Sequence, residues 1–180
     1  MRIFEWAIED IITAYPSLCM DDFAAVATLL MRQTRPPCDF LVRVEGFEIP
    51  DLEGDQEFVL SVTWNAATES RAERAEHTRQ RKPIVEEAAI ALAVLLVAHL
   101  LPDSDLRVTD HGSRADFLLP KMHRVLEISG TERARDVRRR ARQKRRQVLE
   151  NPLGWDGYVV ICCFEAGHRL IQWTCHSQPE

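Results

Sequence analysis

Two periodicities alternate along the chain. Phe4, Ile8, Ile11, Ile12 and Tyr15 recur at helical spacing and predict a first helix, which Pro16 ends. Asp21 or Asp22 is placed to start a second helix, with Phe23, Val26, Ala27, Leu30 and Met31 on its inner face and Arg35-Pro36-Pro37 stopping it. The period then drops to two, with Phe40, Val42 and Val44 in one run and Phe58, Leu60, Val62 and Trp64 in the next. The polar segment around Pro50 and Gly54 between them predicts an antiparallel pair. Residues 66–82 carry charges of both signs without an apolar stripe and read as a solvated helix or linker. Residues 84–101 are apolar on all sides and predict a buried helix, with Pro83 in its first turn and Glu86 and Glu87 near its start.

Beyond Pro102 the pattern is that of strands. Residues 106–109, 114–119 and 124–129 form a predicted three-strand meander, with turns at 110–113 (where His111 reads as a bystander) and at 120–123. Gly130 and Thr131 open a further helix, which Asn151-Pro152 closes. Residues 158–164 and 169–175 form a last hairpin around Ala166-Gly167. The expected fold is α/β: a core of helix, three-strand meander, helix and hairpin over residues 83–180, preceded by an N-terminal extension of helices and a hairpin over 1–82.

Charge changes this picture in one place. The 180-residue chain has a net charge of −5. Between Glu132 and Glu150, nine basic residues face three acidic ones, so that segment is +6 and the remainder −11. Ala134, Val137, Ala141 and Val148 give this helix a narrow apolar face. The rest is a basic surface suited to a polyanion or an acidic protein partner. A hydrophobic share of 46% is that of an ordinary globular protein. No secretory leader is expected at the N-terminus. The longest apolar stretch, 88–101, has only 14 residues, against the roughly 20 a membrane span needs. The five cysteines suggest no disulfide framework and read as reduced thiols of a cytoplasmic protein. Cys162 and Cys163, adjacent on a strand, point to opposite faces and cannot share a zinc ion.

The meander carries the candidate chemistry. If the 120–123 loop closes with Leu119 opposite Arg124, then Asp116 stands opposite Glu127, and Ser129 shares their face. Two opposed carboxylates repel, and a divalent cation such as Mg²⁺ or Mn²⁺ relieves that repulsion. Ser113-Arg114-Ala115-Asp116-Phe117-Leu118-Leu119 followed by Arg124-Val125-Leu126-Glu127-Ile128-Ser129 resembles the motif core of the PD-(D/E)XK nucleases. The resemblance covers residues 83–175.

It implies a restriction-endonuclease-like core in which Asp116 and Glu127 hold the metal, assisted by Glu86 or Glu87. The lysine of the family motif is Ser129 here, which can position water but carries no charge. Substitutes are Arg133 or Arg135 in the first turns of the next helix. Lys144, about 20 Å further along it at 1.5 Å per residue, ranks behind them. The implied activity is a metal-dependent nuclease, or a nuclease-derived nucleic-acid-binding subunit, of prokaryotic defence or mobile-element type. Arg133, Arg135, Arg138, Arg139, Arg142, Lys144, Arg145 and Arg146 would grip the phosphate backbone. The alternative is a catalytically inactive nuclease-like subunit of a larger complex, docking a protein or nucleic acid through the same helix.

Overall fold

The alternating runs pair into one sheet, and the helices cover its two faces unequally. The computed structural model describes residues 1–33, 36–49, 56–78, 80–109 and 115–179. Its strands are β1 (Arg2–Ala7), β2 (Cys38–Glu45), β3 (Glu57–Thr63), β4 (Arg107–Val108), β5 (Phe117–Leu119), β6 (Arg124–Thr131), β7 (Asp156–Cys163) and β8 (Leu170–His176). They form a mixed eight-stranded sheet in the order β1-β3-β2-β8-β7-β6-β5-β4. The five α-helices among the described residues are α1 (Asp10–Ala14), α2 (Asp21–Met31), α3 (Ala66–Thr78), α4 (Arg81–Leu100) and α5 (Val137–Leu149).

The main core lies between α1, α2 and α4 and one face of the sheet, where Phe40, Phe58, Leu92, Leu95 and Trp173 are fully buried. Helix α4 is the one described helix long and apolar enough to cross a membrane. It is instead packed between α1, α2 and strands β6 and β7. A smaller cluster of Val125, Val137, Val148, Val159, Ile161 and Cys163 seats α5 on the opposite face. Cys162 turns toward α4, where its thiol reaches the Ala89 carbonyl, so the adjacent cysteines do face opposite ways. Strand β8 pairs in parallel with β2, Leu41 opposite Leu170. The strands of residues 1–82 therefore continue the sheet of 83–180, and α2 packs directly on α4.

Two expectations are corrected. The first helix does not begin at Phe4: residues 2–7 are strand β1, paired in parallel with β3 from Arg2↔Phe58 to Ala7↔Thr63. The spacing Phe4, Trp6, Ile8 fits a period of two as well as Phe4, Ile8, Ile11 fits 3.6, and the ring of Phe4 packs edge-on against Phe58 at 5.3 Å. Nor does Gly130 open the basic helix. Strand β6 runs on to Thr131, and α5 starts at Val137 after a 3₁₀ turn at Ala134–Asp136.

Glycine at 130 has another cause. A Cβ there would lie 2.2 Å from the Val85 carbonyl oxygen, so its absence lets α4 approach β6 closely. The antiparallel pair β2/β3, the pairings of the meander and the β7/β8 hairpin are as expected. The segments around Arg35, Pro50 and Gly54, and the turn at 110–113 with His111, lie outside the described residues.

Candidate functional site

The site forms where the meander passes beneath α5. The β5/β6 register is Leu119↔Arg124, Leu118↔Val125, Phe117↔Leu126, and Asp116 immediately precedes β5. Alternation sends Val125, Glu127 and Ser129 toward α5, while Leu126 and Ile128 enter the main core. Asp116 and Glu127 do converge. The Lys144 ammonium donates to Asp116 Oδ2 at 2.9 Å and to Glu127 Oε2 at 2.7 Å. Asp116 Oδ2 also accepts the Ile128 N–H at 2.6 Å, which fixes the aspartate against β6.

Lys144 is therefore the cation at the carboxylates. Arg133 and Arg135, the expected substitutes, are exposed and lie elsewhere, beside Glu165 and His168. Distance along the helix does not order these cations, because α5 crosses from β6 to the parallel strand β7. It must run back over the sheet, so residues later in α5 return toward the start of β6.

Glu127 is 1% exposed. Burial pushes its carboxyl up to about 7; Lys144 opposes this and Asp116 adds to it. Burial pulls the Lys144 ammonium down, but Asp116 and Glu127 outweigh it, and its pKa ends above the ordinary lysine value. The trio thus sets the Lys144 ammonium against two carboxylates, of which Glu127 titrates near neutrality.

A second polar cluster adjoins the first. Glu86, near the start of α4, accepts the Gly130 N–H on Oε2 at 2.9 Å and the Arg140 guanidinium on Oε1 at 2.7 Å. Arg140 Nη1 also donates to Ser129 Oγ at 2.7 Å, and that hydroxyl lies 3.4 Å from Glu86 Oε1. Ser129 is thus engaged with Arg140 and Glu86. Glu86, Asp116, Ser129, Arg139, Arg140 and Lys144 line a cleft of about 570 Å³. A smaller cleft of about 280 Å³ shares Glu86 and Arg140 with it and continues to Arg133. Glu87 is half-buried and lines neither.

The basic helix divides into two flanks. Arg139, Arg140, Gln143, Lys144 and Gln147 line the cleft. Arg138, Arg142 and Arg145 are exposed on the other flank, a turn apart from one another. There, burial first and then the charge of Arg145 depress the pKa of His176 on β8. Arg146 pairs with Glu150 at 2.6 Å at the surface. Arg140 was not singled out by its sequence. Its i, i+4 relation to Lys144, beside the stripe of Val137, Ala141 and Val148, is the signal that places both on one side of α5.

Among the described residues no cluster of three or more His, Cys, Asp or Glu side chains is arranged to hold a metal ion. Were a hard divalent cation bound, Asp116 and Glu127 are the residues that would hold it, in place of or beside the Lys144 ammonium. Glu127 Oε1 is buried without a hydrogen-bond partner, an acceptor that a cation would satisfy. Compared with family models, with curated proteins and with solved structures, the chain matches none.

Proposed function

We propose that the protein is a metal-dependent nuclease with a PD-(D/E)XK-like core, in which Lys144 takes the part of the motif lysine. The observation that carries this reading is the bridge from Lys144 Nζ to both Asp116 and Glu127. It unites the acidic pair with a half-buried ammonium although position 129 is serine. The order α4, antiparallel meander, crossover helix α5 and parallel strand β7 supports the same fold.

Asp116 and Glu127 would hold Mg²⁺ or Mn²⁺. When bound, such an ion would supply Lewis-acid polarisation of a phosphodiester oxygen and a water of lowered pKa. The chain's own residues do the remaining work. Ile128 N–H orients the Asp116 carboxylate. Lys144 is placed to hydrogen-bond an attacking water or a phosphoryl oxygen and to offset charge that develops there. Arg139, on the cleft wall, offers a planar fork to the neighbouring phosphate.

Incubation with single- and double-stranded DNA and RNA in Mg²⁺ or Mn²⁺ tests this. Cleavage that Glu127→Gln and Lys144→Met each abolish is the expected result. Cleavage that survives either change, or none on any substrate, overturns it.

One observation favours a second reading. Glu127 lies beneath Lys144 and is almost inaccessible. A lysine that permanently neutralises the pair would leave a binding subunit that cuts nothing. Nucleic-acid binding indifferent to EDTA, together with no cleavage, would select that alternative.

A further inference from the structure

Arg140 stands at the junction of the two clefts and is only partly satisfied. Its Nη1 is committed to Glu86 and Ser129, while its Nε is buried with no acceptor. Glu86 does not depend on Arg140 for its position. Its other oxygen is held by the Gly130 N–H, where α4 lies close against β6. The guanidinium thus sits in an ion pair it can leave, in a cleft wide enough for a phosphate, with an unused donor directed into protein.

A planar five-donor fork matches a phosphodiester better than it matches a single carboxylate oxygen. We propose that Arg140 is a phosphate-operated latch. In the free protein it neutralises Glu86. A phosphodiester entering the cleft draws the guanidinium away, and the released Glu86 carboxylate then adds its charge to the cation site of Asp116 and Glu127. This rests on the nuclease reading and deepens it by making metal and substrate binding mutually reinforcing. The chemistry is linkage: if the phosphodiester strengthens the metal, the metal must strengthen the phosphodiester by the same factor.

The prediction needs no turnover. Mn²⁺ binding to the free protein is measured by titration calorimetry or by the loss of the free-ion electron paramagnetic signal. The titration is repeated with a non-hydrolysable phosphorothioate dinucleotide present. The native protein should bind Mn²⁺ roughly five- to tenfold more tightly with the dinucleotide than without it, within the usual range of such couplings. Arg140→Gln should bind Mn²⁺ more tightly than the native protein in the absence of dinucleotide, because Glu86 is already free, and should show no enhancement on adding it. Glu86→Gln should lose both the tightening and the enhancement. Arg140→Lys keeps the charge without the fork and should fall between; it also serves if the glutamine variant folds poorly.

Unchanged or weaker Mn²⁺ binding by Arg140→Gln, or enhancement that persists in it, overturns the latch while leaving the nuclease reading intact. Failure of the native protein to bind Mn²⁺ through Asp116 and Glu127 overturns both, since Glu86 would then have nothing to join.

Discussion

The Lys144 ammonium lies 2.7 Å from the Glu127 carboxylate although seventeen residues separate them. The bond is buried on the glutamate side and 16% exposed on the lysine side, so solvent screens it weakly. Lys144→Met keeps the stem's packing and removes the charge. Two carboxylates are then left facing each other, and Glu127 holds its proton to a still higher pH. Removing one member of a buried pair costs about 3–5 kcal/mol when the other stays charged. Because Glu127 can protonate, the expected loss is smaller, about 1–3 kcal/mol. The deficit should be larger at pH 8 than at pH 6, measured by urea denaturation of both proteins at each pH. A deficit independent of pH would mean the ammonium does not compensate these acids.

Glu127 itself should set a pH dependence. Unfolded, it titrates near 4.5; folded, near 7. Across that window the folded protein binds the extra proton, so stability falls as pH rises from about 4.5 to about 7 and stays low above it. Glu127→Gln cannot titrate. Subtracting its stability from that of the native protein should isolate a decline on the order of 3 kcal/mol over this range. Millimolar Mg²⁺ should raise the native melting temperature at pH 8 and hardly at pH 5, because only the ionised carboxylate is a ligand. Scanning calorimetry with and without the metal checks both statements.

What was legible in the chain follows from how local each signal is. The Leu119↔Arg124 pairing came from a short loop between two alternating runs, and with it came the convergence of Asp116 and Glu127. The apolar stripe Val137, Ala141, Val148 oriented α5 on the sheet. Residues 2–7 were ambiguous because a parallel edge strand needs a partner fifty-odd positions away, and nothing near Phe4 announces β3. The place of Lys144 is not legible in the chain, because contour distance along a helix says nothing of distance to a strand the helix folds back across. Arg140 was hidden among eight other basic residues, and only its angular position on α5 distinguishes it.

Gly130 supplies a test of the packing that holds the second cluster. An alanine Cβ would meet the Val85 carbonyl oxygen at 2.2 Å and its carbonyl carbon at 2.9 Å. These are backbone atoms of α4 and cannot rotate away, so α4 must shift from β6 and carry Glu86 with it. Gly130→Ala should lower stability by at least ~2 kcal/mol, the scale of overpacking in a well-filled core. It should also weaken Mn²⁺ enhancement by the dinucleotide, since the Gly130 N–H to Glu86 bond is displaced. Denaturant melts and the same metal titration read the two effects. A variant as stable as the native protein would show that α4 and β6 are not so tightly apposed.

The two flanks of α5 should differ in what they contribute to nucleic-acid binding. A helix advances 100° per residue, so Arg138, Arg142 and Arg145 fall within about 60° of one another and at least 100° from Arg140 and Lys144. Arg139 lines the cleft and is otherwise only weakly tied, 3.5 Å from Asp136. A strand lying in the cleft would meet Arg139 and miss the far flank. Each phosphate contact contributes about 0.7–0.9 to the slope of log K against log salt. Arg139→Gln should therefore flatten that slope by about one contact. The triple change of Arg138, Arg142 and Arg145 to glutamine should weaken binding through the long-range field alone and leave the slope within about half a contact of native. Fluorescence anisotropy with a labelled oligonucleotide from 50 to 300 mM salt, roughly the range where screening is strong, separates these outcomes. A triple variant that loses two or three contacts from its slope would put the nucleic acid on the β8 side of α5, away from Asp116 and Glu127.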